Sequence, residues 1–429
     1  MAALARLMED GMNRTRRAVT LGLAAAGLSA CSGGLPGFGG SESSNGASGG
    51  TSMQPVPDSG FDAWLAEFRP RARAAGISEA TLDSALDVAG YLPDVIERDR
   101  NQTEFTRTLE DYLAIAASDD RVRDGRAALN RHGSTLESIE ARYGVEPHVV
   151  TAVWGLESNY GTRRGDIPVI SAVATLAYDG RRGRFFEQQL IAALRILQNG
   201  DVTPEGMTGS WAGAMGHTQF IPTSYLEQAV DFTGNGRRDI WSDDPTDALA
   251  SAAAYLSGAG WRRGQPWGVE VQLPEGFNTG LTGRSSTRSP GDWAAQGVRD
   301  MEGGRVPDHG AASIIIPEGP RGPAFMTFRN FTVITRYNNS ENYVIGVGHL
   351  SDRLRGGPPI QGSFPPDAQG MSISDRRELQ RRLTDAGFDT DGVDGVIGAN
   401  TESAIRDYQR SAGLAVTGEP SSDLLARLR

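Results

Sequence analysis

The chain has 429 residues, enough for two or three domains, and its formal net charge of −11 comes without any basic run longer than an arginine pair, which argues against nucleic acid as a partner. All 42 cationic side chains are arginines, a composition bias and not a site. The single cysteine rules out an internal disulfide, and the five histidines are scattered without ligand spacing.

In chain order, Arg14, Arg16 and Arg17 precede an apolar run from Val19 to Gly27, which ends in Leu28-Ser29-Ala30-Cys31. A basic stretch, a short apolar stretch and a small-residue cleavage site form an export signal, too short to remain as a membrane-spanning helix. The last four residues resemble a bacterial lipobox, whose cysteine is acylated and becomes the new N-terminus. Thr15 to Val19 loosely resembles a twin-arginine signal. Glu9 and Asp10 fit such a leader poorly, so translation is expected to begin at Met12. Ser32 stands where aspartate would favour inner-membrane retention, so the expected destination is the outer membrane. The organisation that follows is a leader over 1–31, a Gly/Ser-rich flexible tether over 32–60, a main domain over 61–354, a linker over 355–370 and a small domain over 371–429.

Phe61, Trp64, Leu65, Phe68 and Ala72 share one face at helical spacing, and Ser78 reads as the N-cap of the next helix. Helical patterns recur over 134–141 and 172–197. Pro147 fits a first-turn proline, and the apolar run from His148 to Leu156 predicts a buried helix closed by Gly161. Glu157 then sits at the negative end of the helix dipole with little solvent, and both effects push a carboxyl pKa up. An acid kept protonated near neutral pH can donate its proton to a leaving-group oxygen. A glutamate in that place also fits a helix-end ion pair.

Ser210 to Tyr225 alternates small residues with aromatics and an amide. Its glycines let a bulky ligand approach the backbone, and Gln219 can both donate and accept. A tightly packed helix junction would read the same way. Asp231-Phe232-Thr233-Gly234-Asn235-Gly236-Arg237 has oxygen donors at alternate positions and glycine at the sixth, the opening of an EF-hand-type calcium loop. Thr233 and Asn235 are neutral, arginines intrude and no glutamate closes the loop, with Asp247 as the substitute. The expectation is weak structural calcium at Asp231, Thr233, Asn235, Arg237 and Asp247, or a polar turn. Val269–Leu273, Ser313–Ile316 and Phe328–Thr335 read as short strands, so the fold class is α+β, mostly α.

Three separated blocks, Glu157-Ser158-Asn159-Tyr160-Gly161, Gly213-Ala214-Met215-Gly216 with Gln219-Phe220-Ile221-Pro222, and Ile334-Thr335-Arg336-Tyr337-Asn338, resemble the membrane-bound lytic murein transglycosylase B family. The resemblance implies a lysozyme-like catalytic domain that cuts the β-1,4 bond between N-acetylmuramic acid and N-acetylglucosamine. Glu157 would be its only acid/base, no cofactor would be required, and a calcium loop would fall at Asp231. Ser158, Asn159, Tyr160, Ser210, Met215, Gly216, Gln219, Phe220, Tyr255, Tyr337, Asn338 and Tyr343 fall at cleft positions. A second acid, Asp166 or Asp179, would make the enzyme a muramidase that uses water, and a glutamate turned structural would leave a non-catalytic scaffold. Residues 375–428 resemble a small three-helix peptidoglycan-binding domain, with Asp394, Gly395, Thr401, Tyr408 and Gln409 in its pattern. The implied partners are peptidoglycan glycan strands, the membrane through a lipid on Cys31, and cell-wall synthesis proteins, with the protein in the periplasm.

Overall fold

The computed structural model describes residues 53–100 and 107–429. The export signal, Cys31 and the tether as far as residue 52 lie outside the described residues. The described residues are mostly helical, with a two-stranded sheet, Ile167–Pro168 with Thr208–Gly209, and a small five-stranded one, and no helix among them is long and apolar enough to cross a membrane.

Order is already present before Phe61. Asp58 caps the Ser59–Ala74 helix by accepting from Phe61 N, and Val56 N donates to Tyr91 O. Phe61, Phe68 and Ala72 are the buried face of that helix, as their spacing predicts. Each fully buried phenylalanine contributes roughly 1.5–3 kcal/mol of transfer free energy. Ser78 caps Glu79–Leu86 through Thr81 N. The expected helix over 172–197 is two, Val169–Asp179 and Gly183–Gln198, broken where Gly180 takes φ +80°.

Three apolar cores fill the described part of the main domain, the smallest of them around Trp293 on the five-stranded sheet, and two bear on the site. One gathers Phe61 and Phe68 with the Val169–Gln198 helices, Met215, Phe220 and Tyr225. The other joins the helices Pro147–Ser158, Thr246–Gly258, Arg329–Tyr337 and Glu341–Leu354. Tyr337 packs against both, and the functional residues gather along that seam.

The five-stranded sheet is antiparallel in the order Thr287–Arg288, Ala312–Ile315, Ala324–Thr327, Gly268–Gln272, Arg299–Asp300, with Val269 opposite Met326 and Ile315 opposite Phe325. Two of the three predicted strands are there. The third is a correction: Phe328 to Thr335 forms the helix Arg329–Tyr337, with Asn330, Phe331, Val333 and Ile334 buried. That burial repeats at helical spacing, and packing against the second core overrides the β-branched composition.

The C-terminal domain is three helices, Ile373–Asp385, Ala399–Ser411 and Ser422–Leu428, around Met371, Leu379, Leu383, Ile405 and Leu425. The 355–370 segment is fastened down: Ile360 and Phe364 pack on the second core, and the amides of Gln361 and Gly362 donate to Glu270. Arg376, with 3% of its side chain exposed, bonds Asp111 of the Leu109–Ala116 helix, Asp367 of the linker and the carbonyl of Gly395. The small domain is thereby docked on the large one.

Candidate active site

Glu157 lies in the last turn of Pro147–Ser158, whose first residue is the expected proline. The helix is closed by Asn159, not by Gly161. Asn159 (φ +49°), Tyr160 (φ +57°) and Gly161 (φ +84°) are all left-handed. Such a conformation is strained for a tyrosine, so the surroundings must hold it. They do so with glycines: a β-carbon on Gly155 would lie 2.7 Å from Tyr160 Cζ, and one on Gly125 would lie 2.4 Å from its Oη. The ring enters that gap, and its hydroxyl donates to Arg121 O at 2.7 Å. Ser158 is buried, donates to His217 O at 2.6 Å and accepts from Gly161 N at 3.1 Å. Asn159 Nδ2 donates to Thr162 Oγ1 at 2.9 Å. Ser158 and Tyr160 therefore do not line a cleft, because their side chains point inward and, together with Asn159, hold the turn that aims Glu157.

Burial pushes the Glu157 carboxyl up to about 7, against a hydrogen bond from Tyr343 that favours the charged form. Tyr343 Oη donates to Glu157 Oε1 at 2.5 Å. Among the described residues no other charged group contributes to that shift. Asp166 is exposed, and Asp179 is paired with Arg100, so neither expected second acid acts on Glu157.

Beside Glu157 stands an aromatic wall. Tyr343 stacks on Tyr337 with ring centres 6.5 Å apart, and Tyr337 meets Tyr255 at 5.1 Å and Phe220 at 5.7 Å. Tyr337 Oη donates to Thr218 O at 2.7 Å, and Tyr255 Oη donates to Arg336 O. Burial, and then the charge of Glu157, hold the Tyr337 and Tyr343 phenols well above their usual range, so they stay neutral donors. Asn338 ends the Arg329–Tyr337 helix and accepts from Ser340 N.

The floor is the segment from Ser210 to Phe220. Ser210 N donates to Ala214 O and its Oγ accepts from Ala214 N, closing a tight turn. Met215 is fully buried and pairs with Phe220. A β-carbon on Gly216 would lie 2.2 Å from Ile240 O, so only glycine fits. Gln219, at φ +51°, gives its amide hydrogens to Arg164 O and Gly216 O, which leaves its carbonyl as the end a ligand can use. Met215 and Gly216 thus shape the floor from within.

His217 is a residue that no local pattern singles out. It is buried, accepts from Trp154 Nε1 at Nδ1, and its Nε2 lies 2.7 Å from Ser242 O, a pattern that assigns the hydrogen to Nε2. Burial lowers its pKa. It fixes the Glu157 turn to the floor, and a β-carbon on Gly161 would strike it at 2.5 Å.

In the Asp231 loop, Asp231 accepts from the amides of Gly234, Asn235 and Gly236 and from the Thr233 hydroxyl, and Asp247 accepts from Phe232, Thr233 and Asp239 N. Asn235 Oδ1 accepts from Arg237 N. No group of three His, Cys, Asp or Glu that could hold a metal occurs among the described residues. The carboxylates of Asp231 and Asp247 are thus taken up by the loop's own amides.

In the small domain Asp394 accepts from Val396 N and Gln380, Gly395 N donates to Gln380 Oε1, Thr401 Oγ1 accepts from Gln380, and Gln409 holds the amides of Thr417 and Gly418. These four fasten loops. Tyr408 is half-buried against Phe388.

Taken together, this is a helical, lysozyme-like domain with a half-buried acid, Glu157, against an aromatic wall. The sequence model of the transglycosylase SLT domain matches residues 60–352, and a peptidoglycan binding domain matches 372–428. The chain belongs to the transglycosylase SLT domain family. It is 32% identical over 242 residues to membrane-bound lytic murein transglycosylase B of Escherichia coli, a match that covers 55% of this chain and 64% of that relative. Crystal structures of SltB3 from Pseudomonas aeruginosa, in complex with NAG-NAM-pentapeptide and with NAG-anhNAM-pentapeptide, are 48% identical with a TM-score of 0.70, covering 86% of this chain and 99% of that one. The lytic transglycosylase Slt35 of Escherichia coli, in complex with calcium, is 28% identical with a TM-score of 0.58 over 71% of this chain and 96% of that one.

Proposed function

We propose that this chain is an exported lytic transglycosylase that cuts peptidoglycan between N-acetylmuramic acid and N-acetylglucosamine and leaves 1,6-anhydromuramic ends. The observation that carries this reading is Glu157, one carboxyl poised near neutrality with no second carboxylate among the described residues acting on it. The SltB3 complexes support the same substrate and product. Glycoside hydrolases ordinarily need a second carboxylate, as nucleophile or as base for water. Here the protonated carboxyl gives its hydrogen to the bridging oxygen, the bond to C1 breaks, and the N-acetyl oxygen stabilises the cation. The C6 hydroxyl then attacks C1, and the Glu157 carboxylate takes its proton, so no water is consumed. Tyr343 holds Oε1, which leaves Oε2 to carry the proton. The Tyr and Phe wall keeps water from the cation.

The C-terminal domain would hold the enzyme on the wall and raise the local substrate concentration. Acylation of Cys31, outer-membrane anchoring in the periplasm and contact with cell-wall synthesis proteins complete the proposal. No cofactor takes part in the reaction, and calcium at the Asp231 loop is proposed as weak and structural. Mass spectrometry of muropeptides released from purified sacculi tests the reading. Anhydro ends, one water lighter than hydrolysis products, are expected, and reducing ends would overturn it in favour of a muramidase.

A further inference from the structure

A second concave site lies at the far end of the two helices that carry Glu157 and Tyr343. Glu146 caps the start of Pro147–Ser158, and Glu157 stands near its end. At about 1.5 Å per residue the two are roughly 16 Å apart along the axis. Around Glu146 is a cavity of about 440 Å³, within the roughly 300–1,000 Å³ range of ligand sites, lined by Trp261, Gln265, Trp267, His309 and Asp352. A neighbouring hollow of about 520 Å³ shares Trp267 and Asp352 and continues it.

Hydrogen bonds fix its walls. Trp261 Nε1 donates to Glu146 Oε2 at 2.8 Å, and Gly264 N donates to Oε1 at 2.6 Å. Trp267 Nε1 donates to Asp352 Oδ2 at 2.8 Å, and Arg355 donates to Oδ1 at 2.6 Å. Gly348 makes room for the Trp267 ring, since a β-carbon there would sit 2.3 Å from it. Both indoles are held in plane by a carboxylate at the edge. Gln265 gives its amide to His309 O, while its Oε1 is buried without a partner. A buried acceptor left unpaired is destabilising, and a donor-bearing ligand would relieve it.

We propose that this cavity is a second, non-catalytic saccharide site that takes an N-acetylated hexosamine of a glycan strand. A sugar offers an apolar ring face to indole and proline walls, and hydroxyl donors to oxygen acceptors. The amine of a peptide stem is the competing donor, but Asp352 already faces Arg355 and Glu146 already accepts twice, which leaves little uncompensated charge for a cation. The inference rests on the peptidoglycan reading and adds a holding point outside the cleft.

The test uses full-length Glu157→Gln protein with ¹⁵N-labelled tryptophan, titrated with the β-1,4 N-acetylglucosamine tetramer, with Trp261→Phe to assign the signal. The indole N–H signals of Trp261 and Trp267 are expected to move saturably, and Gln265→Leu to weaken that response at least fivefold. In otherwise wild-type protein, Gln265→Leu should leave cleavage of short soluble glycans unchanged. Two indoles that stay still, or that move only with a stem pentapeptide, would overturn the proposal. If sacculi still yield anhydro ends in that case, the catalytic reading stands and only the second site falls. Moving indoles without any release would uphold the second site and defeat the catalytic reading.

Discussion

Glu157 and Asp231 are both acids at the edge of a turn rich in glycine and asparagine, yet their surroundings treat charge in opposite ways. Asp231 is half-buried, and amides of its own loop hold its carboxyl below the usual range. Among the described residues Glu157 receives one phenol and no amide, and burial holds it up near 7. Backbone amides stabilise a carboxylate and commit it to its loop, whereas an acid with few donors keeps its proton for use elsewhere. Asp111 and Asp367 show a third treatment, in which one buried arginine answers both.

Glu157→Gln is the largest break in that comparison. Loss of the proton donor should lower release of anhydro ends by about 10²–10⁴-fold while sacculus binding persists. The same change should stabilise the fold at high pH. The folded pKa of about 7 exceeds the ordinary 4.5, so the native state is most favoured while the group is protonated, and that advantage fades as pH rises through 7. Urea unfolding should find the variant more stable by about 3 kcal/mol at pH 8 and equal to wild type near pH 4. A variant no more stable at pH 8 would mean that the carboxyl is not desolvated.

Arg376→Ala comes next. It leaves Asp111 and Asp367, with Glu110 at 3.5 Å, facing one another without their cation. Removing one member of a buried pair is destabilising by about 3–5 kcal/mol. The small domain should undock, with a larger radius by X-ray scattering and a separate melting step. A single unchanged transition would refute a lock at that position.

How much of this could be read from the sequence depended on the kind of signal. Glu157 was legible because proline, an apolar run and a polar-aromatic turn are local. The role of Tyr160 was not, since its partners Gly125 and Gly155 are ordinary helix residues until the ring between them is seen. His217 was invisible for the same reason: its partners Trp154, Ser158 and Ser242 lie far from it in sequence. Phe328 to Thr335 misled through composition, because β-branched residues suit a strand and only the long-range core made them a helix. In the small domain, Asp394, Gly395 and Gln409 stand out for the loops they fasten, which pattern alone cannot tell from ligand contact.

Tyr343→Phe sharpens the comparison without removing the acid. It takes away the only donor to Glu157 among the described residues, so the carboxyl should rise further above 7, and the alkaline limb of the pH–rate profile should move upward by about one unit. A downward shift would mean that Tyr343 favours the neutral form.

The smallest effect is expected at the Asp231 loop. A cation there must compete with the amides of Gly234, Asn235 and Gly236 for Asp231, and with those of Phe232, Thr233 and Asp239 for Asp247. Few carboxylates and neutral Thr233 and Asn235 place affinity at the weak end of the range of such loops, about 10⁻⁴–10⁻³ M. Calorimetric titration of chelator-stripped protein should show saturation only at millimolar calcium. Binding stabilises by RT ln(1 + [L]/Kd), so one millimolar ion raises stability by about 0.4–1.4 kcal/mol. Asp231→Asn should abolish that gain and leave anhydro-end release intact, since the loop touches neither Glu157 nor Tyr343. Micromolar binding would show instead that the loop opens its amide bonds to the ion, and that Asp231 is as free to act as Glu157.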